Sequence, residues 1–201
     1  TNPIIIKDHK ISWAAYNQLT DSEDVDYYQF KVNQGEEIYA SMSIPKLKRL
    51  KNFNPEIALI GPELKDDFDG LEEAEVKKRL EVKDGEGVIV KQFTEEESEV
   101  FFEPFTQTRY WKKQELTVEA PVSGDYYIAV FDMDNMADKY VLSIGKIEKW
   151  GIKDILRFPK IWWEVRMFME QRISTYLIVA IVFILFLSLI RYIIKLIFRL
   201  N

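Results

Sequence analysis

The sequence predicts a mainly β protein: an antiparallel, jelly-roll-like β-sandwich ectodomain, then an amphipathic connector helix and one C-terminal transmembrane helix. Three observations carry this expectation. Residues 173–190 hold no charged side chain, and a helix of that length, rising about 1.5 Å per residue, covers about 27 Å, close to the hydrocarbon thickness of a bilayer. A soluble core helix this long keeps a polar face, which the stretch lacks. Between residues 26 and 144, short alternating stretches recur between turn residues, as expected of strands in antiparallel sheets. Residues 160–172 then put Ile161, Trp162, Val165, Phe168 and Met169 on one helical stripe, with Glu164, Glu170 and Gln171 opposite. The expected domains are therefore a sandwich over 1–148, a connector over 149–172, and a span over 173–198 with a short basic tail.

Taken in order, residues 13–19 are open between a helix and an extended segment. Asp26-Tyr-Tyr-Gln-Phe-Lys-Val32 sets Tyr28, Phe30 and Val32 on one face against Gln29 and Lys31 on the other. A turn at Asn33-Gln-Gly35 leads to a second alternating run over 37–44, with Ile38, Ala40, Met42 and Ile44 in register, stopped by Pro45. A basic loop (Lys46, Lys48, Arg49, Lys51) precedes Glu56-Ile-Ala-Leu-Ile60, which Gly61-Pro62 closes. Residues 72–81 are mostly charged and fit a short exposed helix or a loop. Further strands are expected over 87–93, 99–103 and 116–119, with an acidic turn at 95–99. Pro121-Val-Ser-Gly124 is a turn, and 125–131 and 140–144 form a strand pair joined by an acidic loop. The connector helix is expected to start after Pro159, a favourable first helical position. Trp162 and Trp163 beside basic residues suit the headgroup level of a bilayer, or a helix packed on the sandwich.

Charge is divided unevenly. Of 27 basic and 33 acidic side chains, eight basic and three acidic ones follow residue 150, so the first 150 residues carry a net −11 and the rest +5. An acidic body argues against nucleic acid as a partner, because a polyanion needs the opposite sign. A basic stalk suits anionic headgroups. Arg191, Lys195 and Arg199 recur every four residues past the span, so one helical face is cationic and can snorkel to the inner headgroups. The sequence starts at Thr1 without a basic-then-apolar leader, which fits a removed secretory signal and an outward body with a cytoplasmic C-terminus. Counted alone, the basic residues around the span give the opposite orientation.

Three pieces of the body, Asp24-Val-Asp-Tyr-Tyr-Gln-Phe-Lys-Val32 with Gly35, Asn54-Pro-Glu-Ile-Ala-Leu-Ile-Gly-Pro62, and Pro121-Val-Ser-Gly-Asp-Tyr-Tyr-Ile-Ala-Val130 with Tyr140-Val-Leu-Ser-Ile144, resemble the pre-peptidase C-terminal-like β-sandwich of secreted prokaryotic proteins. The match in order and spacing covers about 120 residues and is interrupted by an insertion at roughly 64–115. Ile11-Ser-Trp-Ala-Ala-Tyr16, Phe102-Glu-Pro-Phe105 and Tyr110-Trp111 are also similar to stretches of an uncharacterised group of membrane-anchored envelope proteins from bacteria and archaea. There the sandwich precedes a proline-containing aromatic connector and one C-terminal span. Such domains accompany an enzyme or a complex, so the resemblance implies a binding or scaffold role.

Chemistry-bearing residues are sparse. With no cysteine and one histidine, neither a thiolate site nor a zinc or copper set can be assembled. His9 lies among Lys7, Asp8 and Lys10 without a nucleophile elbow or oxyanion loop, and is expected to be an exposed polar residue. Asp132, Asp134, Asn135 and Asp138 form a calcium candidate in a strand-connecting loop. Their spacing is not that of an EF-hand, and an acidic loop that keeps a sheet edge soluble is the plainer reading. No other cofactor is expected. Phe101, Phe102, Phe105, Tyr110 and Trp111 fall within eleven residues. Core packing is favoured for Phe101 and Phe105, whereas Tyr110, Trp111 and Arg109 fit either the core or a docking patch. Trp162, Trp163, Arg191, Lys195 and Arg199 are the expected membrane contacts. Together these features imply a non-catalytic, membrane-anchored accessory or scaffold subunit of an envelope assembly, whose partners are the lipid bilayer and other envelope subunits. A carbohydrate- or calcium-binding module on the same anchor is the alternative.

Overall fold

The alternating stretches become strands. The computed structural model describes residues 2–93, 99–149 and 151–200, divided into two compact units, Thr1–Gly151 and Ile152–Asn201. The first unit contains β1 (Ile4–Ile5), β2 (Trp13–Gln18), β3 (Asp26–Val32), β4 (Glu37–Pro45), β5 (Glu56–Pro62), α1 (Glu73–Arg79), β6 (Glu86–Lys91), β7 (Val100–Glu103), β8 (Thr108–Glu119), β9 (Gly124–Phe131) and β10 (Lys139–Ile144). They pair as two five-stranded sheets, β1-β3-β9-β5-β6 and β2-β10-β4-β8-β7. The acidic turn expected at 95–99 lies, except for Glu99, outside the described residues.

Period-two patterning places the core. Tyr28, Phe30, Ile57, Leu59, Ile128 and Val130 of the first sheet meet Ile38, Ala40, Met42, Leu116, Leu142 and Ile144 of the second. One sheet face is then left over. Ala58, Ile60, Val88, Val90, Ala129 and Phe131 point the other way, and are covered by Val76 and Leu80 of the α1 segment. That cover explains why Ile57-Ala-Leu-Ile60 reads as a continuous apolar run: β5 is buried on both faces. The α1 segment of the insertion is thus a third layer, and its charged 72–81 stretch contains a helix with Val76 as its buried anchor, whereas β6, β7 and the start of β8 join the sheets.

Three expectations are corrected and one open choice is settled here; β9 and β10, expected as a pair, lie in different sheets. The sandwich is not wholly antiparallel, since β1 pairs with β3 in parallel at Ile4↔Tyr28. Residues 13–18 are a strand, because β2 gains a full ladder against β10, and tertiary pairing overrides the helix propensity of Ala14 and Ala15. The strand expected at 116–119 is only the end of β8, whose alternation is broken by a register shift opposite Ser41/Ser43. That bulge turns two polar residues inward. Lys113 and Gln114 are 5% and 1% exposed. The Gln114 amide donates to Pro55 O at 2.6 Å and Lys91 O at 3.3 Å, while Lys113 donates to Asn54 Oδ1 at 2.7 Å. Burial lowers the Lys113 amine to about 8.

The second unit is a helical hairpin, α2 (Ile152–Phe168) and α3 (Arg172–Leu200). The helix starts before Pro159 rather than at it: Pro159 sits inside α2, where it removes one backbone donor. The connector also ends sooner than expected. Glu170, at φ 59°, takes the left-handed conformation that reverses the chain between the helices. Within α3, Arg172–Phe198 is 27 residues of strongly apolar helix with none of its core window buried. At about 1.5 Å per residue it is long and apolar enough to cross a bilayer.

Candidate functional site

The hairpin of β7 and β8 concentrates the least ordinary surface of the sandwich. Its turn is built by one carboxylate. Glu103 Oε1 accepts the Phe105 N–H at 3.0 Å, and Oε2 accepts the Thr106 N–H at 2.6 Å and the Thr106 hydroxyl. The Thr106 and Thr108 hydroxyls meet at 2.7 Å, Thr108 donates to Tyr110 OH at 2.8 Å, and Tyr110 OH lies 3.4 Å from Tyr16 OH on β2. This polar chain lies flat across the outer face of the sheet and ends at the turn. Burial pushes the Tyr16 and Tyr110 hydroxyls above the usual phenol range, so they remain neutral donors.

A rigid turn with apolar side chains around it follows. Val100, Phe101, Phe102 and Phe105 are 43%, 42%, 49% and 65% exposed, while Tyr110 is 4% exposed. The expectation of core packing for Phe101 and Phe105 is therefore reversed: Tyr110 is the buried ring, and Phe101 stacks on its outside at 6.4 Å. Trp111 is half-buried against the main core. Arg109 stands over the Phe102 ring at 5.9 Å and Lys112 over Phe101 at 5.7 Å, cation–π contacts on the two part-exposed rings.

The acidic loop after β9 is tied down by its own carboxylates. Asp132, 2% exposed, accepts the Met136 N–H at 2.8 Å. Asn135 accepts from Arg79 at 3.2 Å, and Asp138 receives Arg49 Nε and Nη2 at 3.1 Å each and the Lys139 N–H at 2.8 Å. Asn135 holds the left-handed turn at φ 58°. Among the described residues no group of three or more His, Asp or Glu side chains is arranged to hold a metal ion; of the four calcium candidates, Asp132, Asn135 and Asp138 accept the hydrogen bonds that fix the loop. Glu56 joins them from β5, accepting the Met133 N–H at 3.0 Å. Burial, and then the charge of Asp132, pushes the Glu56 carboxyl up to about 8.

His9 is buried, not exposed as expected. It is 2% exposed, stacks on Phe30 at 5.5 Å, and sets Nε2 3.8 Å from Glu36 Oε2. Glu36 is held down to about 2, first by the Asn33 backbone and side-chain donors and then by Lys10. The loop carrying His9 clamps the chain leaving β10. Lys10 O accepts the N–H groups of Lys146 and Ile147 at 3.2 and 2.9 Å, and Ser12 N–H donates to Ile147 O at 2.9 Å. Gly145 has φ 80°, and a Cβ there would lie 2.6 Å from His9 O.

In the second unit, Arg166 is 2% exposed, donates from Nε to Thr175 Oγ1 at 2.8 Å and from Nη2 to Ser174 Oγ at 2.7 Å, and lies 4.9 Å from the Trp162 ring. Trp163 meets Tyr176 edge-on at 5.7 Å. Ile152, Ile155 and Leu156 of α2 are 80%, 65% and 77% exposed. Arg191 and Lys195 are exposed one turn apart on α3; the Arg199 side chain lies outside the described residues. Thr175→Val leaves the Arg166 Nε–H without that acceptor, a cost of about 2 kcal/mol. The expected result is a looser hairpin, read as a changed Trp163–Tyr176 fluorescence coupling with unchanged sandwich melting.

No protein-family model matches the chain, and no curated protein matches it by sequence. Among solved structures, the sandwich is similar to the periplasmic inhibitor of g-type lysozyme PliG from Salmonella Typhimurium, at 16% identity over 72% of this chain and 98% of that one, with a TM-score of 0.38. It is similar to the pre-peptidase C-terminal domain of a Bacillus anthracis collagenase at 13% identity, 70% and 92% coverage and a TM-score of 0.34. The surface-associated copper-binding protein CorA of Methylomicrobium album BG8 follows at 11% identity, 73% and 100% coverage and a TM-score of 0.33. The domain type that the sequence motifs resemble is thus among the likenesses. At these values no residue-by-residue correspondence is carried over, and the two-sheet build rests on the strand pairing itself.

The exposed edge of β7 is what sequence reasoning overlooked. Its signal is present in the chain: Val100-Phe-Phe102 is apolar at consecutive positions, so neither strand face is polar, and no Lys or Pro interrupts the strand.

Proposed function

We propose that the protein is a non-catalytic, membrane-anchored envelope protein that serves as an accessory or scaffold subunit of a larger membrane or surface assembly. The observation that supports this reading is the distribution of uncovered apolar surface, along α3 and at the β7–β8 hairpin. The buried polar groups described above serve to fix loops: Glu103 holds a turn, and Asp132, Glu56 and Asp138 hold another. A lipid anchor and one rigid aromatic projection together suit a tether, which raises the local concentration of whatever the projection meets. The sandwich faces outward and the basic end of α3 faces the cytoplasm in this reading, with the exposed Ile152, Ile155 and Leu156 of α2 lying in the lipid interface.

Co-purification in mild detergent tests it. The intact protein is expected to elute with other envelope proteins in fixed proportion; elution as the bare chain in every mild detergent would sink the subunit role. Protease added to intact cells is expected to remove the sandwich, and its protection would reverse the orientation.

A further inference from the structure

We propose that β7 is a docking edge for an extended strand of another protein, apolar along its length and basic at its ends; this rests on the subunit reading above and names its contact. Phase comes first. Lys112 N–H donates to Glu99 O at 2.8 Å, and the β7–β8 register pairs Val100 with Trp111, Phe101 with Tyr110 and Phe102 with Arg109. In an antiparallel ladder hydrogen-bonded and non-bonded pairs alternate. Glu99, Phe101 and Glu103 therefore face β8, and the N–H and C=O groups of Val100 and Phe102 point away from it, to the free side of the sheet.

The protein treats its edges differently. The outer edge of β6 is covered by the chain itself: Val88 N–H donates to Asp66 Oδ1 at 2.8 Å, Asp67 N–H to Val88 O at 2.9 Å, and Val90 N–H to Asp67 O at 2.7 Å. Among the described residues β7 has no such cover, and it carries apolar side chains on both faces where soluble edges place Lys, Pro or a bulge. An extended backbone laid alongside pairs with the outward N–H and C=O groups of both residues, two positions apart, which is β-strand addition. Val100 and Phe102 on one face, and Phe101 on the other, then select apolar side chains from the incoming strand.

Charge selects between a second copy and a different partner. Arg109 and Lys112 stand over the ring faces, but the two ends of the edge are bracketed by Glu99 and Glu103, and the first 150 residues carry a net −11. Two such bodies repel, whereas a strand with Lys or Arg at its ends is attracted.

Hydrogen exchange on the full chain in nanodiscs reads the proposal directly. The probe is a synthetic peptide of alternating valine and isoleucine with two lysines at each end. Its addition is expected to slow exchange at Val100 and Phe102 at least tenfold and to leave the amides of Phe101 and β8 unchanged. A glutamate-flanked peptide of the same centre is expected to bind at least tenfold more weakly. Phe102→Pro removes an outward donor that β8 does not use, a position where an edge strand accepts proline; it is expected to lose the peptide tenfold or more at unchanged melting temperature. Phe102→Lys, which keeps the donor, is the check should that variant fail to fold, and is expected to weaken the peptide through charge and lost apolar contact. Three results overturn the proposal: no slowing with the lysine peptide, equal binding of both peptides, or slowing that grows with protein concentration alone, which assigns the edge to a second copy. Co-purification that survives Phe102→Lys would keep the subunit role and move its contact elsewhere.

Discussion

Glu56→Gln is expected to make the protein more stable at pH 8.5 and to flatten its stability between pH 5 and 8.5. Glu56 sits at the start of β5 with 7% exposure, and its carboxyl is pushed from an ordinary 4.5 to about 8, by burial first and the charge of Asp132 second. Between those two values the folded protein keeps a proton that the unfolded chain has released. Folding then binds more protons than unfolding, so stability is greatest below the unfolded value and falls as pH rises through the folded one. The loss across the window is on the order of a few kcal/mol, a large share of a domain's net stability. Glutamine keeps an oxygen to accept the Met133 N–H that Glu56 now accepts at 3.0 Å, and has nothing to titrate. Urea unfolding of the full chain at pH 5, 7 and 8.5 measures both proteins. Parallel curves for the two would show that Glu56 does not titrate in this window. Asp132, also raised by burial, is expected to leave a residual slope at the acidic end in both.

Gly87→Ala is expected to be the most damaging single-methyl change in the sandwich. A Cβ at Gly87 would stand 2.0 Å from Leu64 O and 2.6 Å from Leu64 C. Both are backbone atoms, so no rotamer change relieves the clash. Leu64 is brought there by a turn through Glu63, at φ 55°, whose N–H donates to Gly85 O at 3.3 Å. This is where the insertion folds back to form the third layer, so displacement there opens the cluster of Val76, Leu80, Val88 and Val90. Overpacking against backbone costs about 3 kcal/mol, a fall of about 10 °C in the melting temperature of a domain this size. Gly85→Ala two residues earlier separates the causes. Gly85 has φ 85° and open space around its Cβ direction, so its cost is conformational alone, about 1 kcal/mol. Equal effects at the two glycines would refute the steric account.

The legible parts of the chain were those where one physical pattern acts alone. β3 and β4 follow clean alternation, and α3 follows from an uncharged run. Patterns failed where tertiary structure adds a second constraint. The β8 bulge shifts inside from outside midway, which hides a twelve-residue strand behind Lys113 and Gln114. Pro159 signals a helix start, yet α2 begins at Ile152 because one missing donor is a tolerable loss within a longer helix. His9 looked exposed from its charged neighbours, but the turn at 8–10 swings its ring onto Phe30. Of the candidate site residues, Arg109, Tyr110 and Trp111 lie in the β7–β8 hairpin. Burial decides which aromatic ring faces out, and that depends on Tyr16, a residue 94 positions away from Tyr110.

The position of β10 has a mechanical consequence. It lies between β2 and β4, and its exit is locked by the Lys10 and Ser12 hydrogen bonds to residues 146 and 147. β10 is therefore held on both flanks and at its exit, so a force applied to residue 147 along the strand has to shear two ladders and the clamp at once. The last strand of the sandwich is thus its most firmly seated one at the point where the chain leaves it.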